Sequence, residues 1–305
     1  MNFPKLPDTL RFARLQPPTG KVRMVLDTDT YNEVDDQFAL VHALLSPDRL
    51  QVEAIYAAPY FNNRSSGPAD GMEKSYEEIH RLLEKLNWPN RDFAYRGATA
   101  YLDKSLQPQE SAAARDLVAR ALASPDTDPL YVVAIGAITN VASAVLLEPR
   151  IIEKIVIVWL GGHALHWPHT REFNLKQDVA AARLLFDCGV PFVMIPCMGV
   201  VSHLHTTIPE LEAYVAGRGA IGDYLVEIVK GYHEDHRGWS KVIWDISTIA
   251  YLLNAQWTPS HLVHSPVLTD QVTWSVDQSR HLIRYVHYIE RDPIFRDLFL
   301  KLAQR

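Results

Sequence analysis

The chain has 305 residues, 48% of them apolar and 22% charged, and carries a net charge of −6. That length can bury a large core and the composition is that of a globular protein, while the acidic balance argues against a nucleic-acid surface, which needs a basic stripe. Two cysteines, Cys188 and Cys197, are too few for a disulfide framework, and no apolar run reaches the roughly 18 residues of a membrane span. The opening MNFPKLPDTLRF lacks the apolar stretch of a signal peptide, so the expectation is a cytoplasmic protein with no membrane partner.

Residues 1–20 hold several prolines and few periodic apolar positions, which predicts a surface arm ahead of a core at 21–305. Val22 to Leu26 reads as a buried strand, and it delivers Asp27, Asp29, Asp35 and Asp36 into one turn. A helix striped by Ala39, Leu40, Ala43 and Leu44 follows. Like charges crowded at a strand end are costly to desolvate, and a helix amino terminus neutralises only part of them. A hard divalent cation is the simplest counter-charge. The plainer reading of the same residues is an N-cap with solvated turn acids.

Gln51 to Ala58 is the second expected strand, followed by the long polar loop PYFNNRSSGPADG, with Asn62 and Asn63 near its start. Such loops are usually functional or disordered. Helices are expected at Met72–Leu86 and Ser111–Ala123, and a strand at Leu130–Ile135 turns through Gly136–Asn140 into a helix ending near Leu147. The strand Ile155–Leu160 leads to a Gly161-Gly162 turn and a loop rich in His and Trp. Asp178 then caps a helix to Phe186, and Pro191–Pro196 is a strand again. Residues 208–254 are mainly helical, broken by KGYHEDHRGWSKVIWD. The tail reads as a hairpin-like pair, Gln271–Val276 and His281–Tyr288, and a helix Pro293–Leu302. Alternating helices and continuously apolar strands predict an α/β fold: a single-domain, open, mostly parallel, Rossmann-like sheet with helices on both faces. Its chemistry belongs beyond the carboxyl ends of the strands.

Further polar residues fall at such ends: Asn140 after the Val132–Ile135 segment, Glu172 and Asn174 in REFN, and Asp245 in VIWDIST. In order, DTDTYNEVDD, GAITN, LGGHALHWPHTREFN and WDIS resemble the motifs of the inosine-uridine preferring nucleoside hydrolase family, over nearly the whole chain. The resemblance implies calcium (Ca2+) held by Asp29, Asp36, Asp245 and the backbone carbonyl of Ile135. About 6–8 oxygens surround calcium, leaving room for a water and the vicinal hydroxyls of a ribose. It further implies that Asp29 takes the proton of the attacking water, and that Asp35, Asn174, Glu172 and one of Asn62 or Asn63, with Asn62 preferred, bind the ribose. Asp27 supports these ligands by hydrogen bonding or simply bonds nearby backbone. A ribonucleoside is the implied substrate and a homodimer or homotetramer the implied assembly.

The chain departs from the family pattern in several places. The spacing from Asp29 to Asp35 is two residues longer, with Tyr31 and Asn32 where the family has a tight turn. Trp244 replaces the His that often precedes the late Asp, and His166 stands about where a sugar-binding Asn is usual. Trp167, Trp239 and Trp244 are candidates to stack a base, and His163, His166, His233 and His236 to protonate it. Two rival readings remain. VLDTDT also fits the nucleophile turn of haloacid-dehalogenase-type phosphatases, using Asp27 and Asp29, with Gly222–Glu227 imitating their metal motif. A non-catalytic nucleoside or ribose binder is the other.

Overall fold

The computed structural model describes residues 3–90 and 92–304. Eight strands form the central sheet: β1 Val22–Thr28, β2 Leu50–Ala57, β3 Ala94–Arg96, β4 Leu130–Ala134, β5 Ile155–Leu160, β6 Phe192–Ile195, β7 Ser260–His264 and β8 Leu282–Val286. Their order is β3-β2-β1-β4-β5-β6-β8-β7, parallel throughout except for the antiparallel pair β8–β7. The helices are α1 Asp8–Arg14, α2 Asp36–Leu44, α3 Pro68–Lys85, α4 Ala112–Ala123, α5 Thr139–Leu147, α6 Phe173–Gln177, α7 Val179–Asp187, α8 Ile208–Tyr214, α9 Gly219–Tyr232, α10 Ile246–Leu253 and α11 Arg291–Ala303.

Side chains alternate across a strand, so β1 feeds two cores. Met24 and Leu26 join the core that holds α2, α3 and α9–α11, whereas Val25 joins the one that holds α4, α5 and α7. From β1 the chain moves outward to β2 and β3, then returns to β4 on the other side and moves outward again. The crevice between the ends of β1 and β4 is therefore a topological switch point, where open α/β sheets bind ligands.

Three sequence expectations change, and one strand, β3, was not anticipated. The amino-terminal arm contains α1, whose Arg11 donates to the Gly189 carbonyl at 2.9 Å while Leu15 beside it is fully buried. Helix α2 carries no stripe, since all nine of its residues are buried between the sheet and neighbouring helices. Strand β3 is too short, at three residues, to show a pattern. The tail segments do not pair with each other: Trp274–Ser275 pairs with Val267–Leu268, and β8 enters the main sheet between β6 and β7. Both segments have strand-forming sequence, and partner choice is decided by long-range packing.

Candidate active site and metal centre

Strand β1 and helix α2 set the floor of the site. Asp27 is opposite Ala134 in the β1–β4 register, and the Ile135 amide donates to the Asp27 carbonyl at 2.8 Å, which brings Ile135 alongside the acidic turn. Helices α2 and α10 are wholly buried and pack on each other, so Asp36 at the start of one meets Asp245 at the start of the other. Neither Asp35 nor Asp245 makes a side-chain capping bond, although each occupies an N-cap position. Oxygen atoms of Asp35, Asp36 and Asp245 lie within 4.8 Å of one another, and all three residues are buried.

Asp29 is fully buried and neither of its carboxylate oxygens has a hydrogen-bond partner among the described residues. Burial, and next the charge of Asp36, push its pKa well above the usual carboxylate range. Asp36 is pushed up to about 8 by burial and by Asp35, even though the Thr28 hydroxyl donates to it at 2.6 Å. Asp245 is raised for the same reasons, burial first and then Asp35. Gly136 is required here: a Cβ on it would stand 2.9 Å from Cγ of Asp29. A group of hard oxygen donors that is crowded, buried and under-satisfied fits a divalent cation, which removes the desolvation cost they share.

Asp35 has its own cation. Lys241 is buried, with Nζ 3.4 Å from Asp35 and in a closer ion pair with Glu33, and the Trp244 amide donates to the other Asp35 oxygen at 3.1 Å. Burial raises the Asp35 pKa and Lys241 opposes that rise. Asp27 accepts from Asn140 Nδ2 at 2.7 Å through one oxygen, its other oxygen is unpartnered, and burial pushes its pKa up to about 7.

A cavity of about 260 Å³ opens above this floor, lined by Asn32, Asp35, Asp36, Ile135, Glu172, Asn174, Trp244 and Asp245 among others. Glu172 caps α6, accepting from the amides of Asn174 at 2.8 Å, Gly162 at 2.9 Å and Leu175 at 3.0 Å. The Asn174 amide group donates to the carbonyls of Ile135 and Leu160, each at 3.0 Å, leaving Oδ1 as its open function. Asn62 lies outside the cavity and bonds to Asn32, while Asn63 and His166 are exposed outside it. Of the three tryptophans proposed to face a base, Trp244 lines the cavity; Trp239 stacks on His233 instead, at 5.2 Å between centroids. The cavity's histidine is His163. Its Nδ1 accepts from the Met198 amide at 3.3 Å, and burial lowers its pKa to about 4, so it is neutral near pH 7.

Sequence reasoning gave no role to Asn32, Glu33 or Lys241, whereas His163 was among its candidates. A signal existed for Lys241: a lone cation four positions ahead of Asp245 in a site with excess acid. The phosphatase reading fails on geometry, because Gly222–Glu227 lies inside α9 and Asp223 accepts from the Gly217 amide at 2.7 Å.

The model of the inosine-uridine preferring nucleoside hydrolase family matches residues 24–284. The chain belongs to that family. It is a hydrolase acting on the N-glycosyl bonds of ribonucleosides, in a family that depends on a metal. The pyrimidine-specific ribonucleoside hydrolase RihA of Salmonella paratyphi A is 28% identical over 264 residues, covering 76% of this chain and 80% of that protein. A plant nucleoside hydrolase, the PpNRh1 enzyme, superposes with a TM-score of 0.75 at 18% identity over 94% of this chain and all (100%) of its own. A purine-preferring ribonucleoside hydrolase from Gardnerella vaginalis gives 0.71 at 18% identity over 92% and 98% of the two chains. These likenesses establish the nucleoside hydrolase fold.

Proposed function

We propose that this hydrolase splits a ribonucleoside, or a close ribosyl relative, into free base and ribose in a calcium-dependent reaction. The observation that carries the proposal is Asp29, a sealed carboxylate with two unpartnered oxygens beside further buried carboxylates. Asp29, Asp36, Asp245 and the Ile135 carbonyl are the residues that would hold the ion. When bound, calcium supplies positive charge, polarises water and accepts the vicinal hydroxyls of the sugar.

Asp29 serves as the base. It takes a proton from the attacking water as the water oxygen bonds to C1′, while the C1′–N bond breaks and its electron pair leaves with the base. Asp35 and Glu172 accept from ribose hydroxyls, as does Asn174 through Oδ1, since its Nδ2 is committed to backbone. Trp244 offers the departing base an aromatic face. His163 is neutral near pH 7, so it offers the departing base no acidic proton. Asn140 steadies Asp27 beneath the floor. The same reading takes residues 1–305 as one functional domain working as a cytoplasmic homodimer or homotetramer, an assembly that sedimentation tests.

The names of the relatives point to both pyrimidine and purine nucleosides. A panel of both, assayed for free ribose with wild type and Asp29→Asn, tests the proposal. Ribose release by the wild type and a loss of about 10²–10⁴-fold in the variant are expected from removing a general base. Full activity in Asp29→Asn would remove Asp29 from that role.

A further inference from the structure

The lengthened turn between Asp29 and Asp35 is held at every carbonyl from Tyr31 to Glu33. Arg64 donates to the Tyr31 carbonyl at 3.3 Å and to that of Glu33 at 3.2 Å, while Asn62 donates to the Asn32 carbonyl at 3.2 Å. Tyr31 adopts a φ of 82°, a left-handed conformation that a non-glycine residue keeps only where its surroundings impose it. This turn presents Asn32 and Glu33 to the cavity; Glu33 is taken up by its ion pair with Lys241, and Asn32 is itself buried.

The orientation of the Asn32 amide follows from a chain of donors and acceptors. The Arg64 backbone N–H can only donate, and it donates to Asn62 Oδ1 at 2.8 Å. Asn62 Nδ2 therefore faces Asn32, and it donates to Asn32 Oδ1 at 2.9 Å. That leaves Asn32 Nδ2 as a pair of donors on the side away from Asn62, in a residue whose backbone amide donates to the Asp29 carbonyl at 3.0 Å. One backbone amide thus fixes the direction of two side chains.

We propose, resting on the hydrolase reading above, that Asn32 is a sugar-binding residue supplied by the lengthened turn. Its Nδ2 donates to a furanose oxygen next to Asp29, and Asn62 is its positioning residue. The site takes a ribosyl group whose hydroxyl oxygen accepts that bond.

The experiment compares wild type, Asn32→Ala, Asn62→Asp and the double variant in the calcium-loaded protein. It measures kcat and KM on a nucleoside the wild type cleaves, ribose affinity by calorimetry, calcium affinity without nucleoside, and melting temperature. Asn62→Asp keeps the acceptor for Arg64, removes both donations to Asn32, at Oδ1 and at the carbonyl, and sets a negative charge beside them. Asn32→Ala is expected to raise KM and weaken ribose binding about 10–100-fold, the size of one hydrogen bond to a polar partner near a charge. Asn62→Asp shifts both in the same direction by less, the double variant behaves as Asn32→Ala alone, and calcium affinity is unchanged throughout. Unchanged KM and ribose affinity in Asn32→Ala, additive losses in the double variant, or a loss confined to calcium affinity would each overturn the assignment. A wild type that releases no ribose would sink the hydrolase reading and this inference with it, whereas an active wild type and an unaffected Asn32→Ala would sink this inference alone. If Asn32→Ala does not fold, Asn62→Asp carries the same readouts.

Discussion

Asp178 and Asp29 are both carboxylates closed off from solvent, yet their surroundings are opposite. Asp178 accepts from the Thr139 hydroxyl at 2.6 Å, the Leu102 amide at 2.8 Å and the Ala181 amide at 2.9 Å. Glu78, also fully buried, is satisfied by Gln37 at 3.3 Å, by the Tyr224 hydroxyl at 2.6 Å and by an ion pair with Arg81. Asp29 has no such partner among the described residues, and the acids Asp36 and Asp35 oppose its charge. Burial alone therefore does not mark a functional acid; most buried polar groups find partners within the fold. What marks one is burial with unmet bonding capacity and like charge for company, which only a group from outside the chain relieves.

The contrast can be broken at either end. The largest effect is expected at the under-satisfied end: Asp245→Asn should lower calcium affinity by more than the roughly 10–100-fold that outer partners of a metal site cost. Turnover should fall with it, while the metal-free protein melts no lower, because one of several repelling charges is gone. Calorimetric calcium titration and metal-free melts check both halves. At the satisfied end, Asp178→Ala should cost about 2–4 kcal/mol of stability through lost capping and stranded donors, with calcium affinity intact. Denaturant unfolding measures that loss.

The smallest effect concerns a buried titrating group remote from both acids. His42 is fully buried, 2.7 Å from Asp297, and burial lowers its pKa below the ordinary 6.5. The folded state thus prefers its neutral form, so its contribution to stability is present above pH 6.5 and is lost as pH falls below that value. Melting temperatures should decline modestly on acidification below that point, and His42→Gln should flatten the decline. An unchanged slope in the variant would remove His42 as the cause.

Much of this was legible in the chain itself. Continuous apolar runs such as Ile155–Leu160 fixed the parallel sheet because strands covered on both faces need no polar positions, and the strand matches in full. The acidic turn and Asp245 were visible as charges placed at strand and helix ends. Contacts made across distant sequence were not visible. Nothing local says that Asn62 turns to Asn32 rather than to a sugar, that Lys241 reaches Asp35, or that β8 inserts between β6 and β7. The strained Tyr31 was also hidden, since a left-handed φ at a tyrosine has no signature in its residue type.

The most direct test is ribose release from protein stripped with a chelator, assayed before and after calcium is returned. Silence in the stripped protein and recovery on adding calcium is the predicted result. Undiminished turnover by metal-free protein would contradict the claim that these crowded carboxylates work by gathering around an ion.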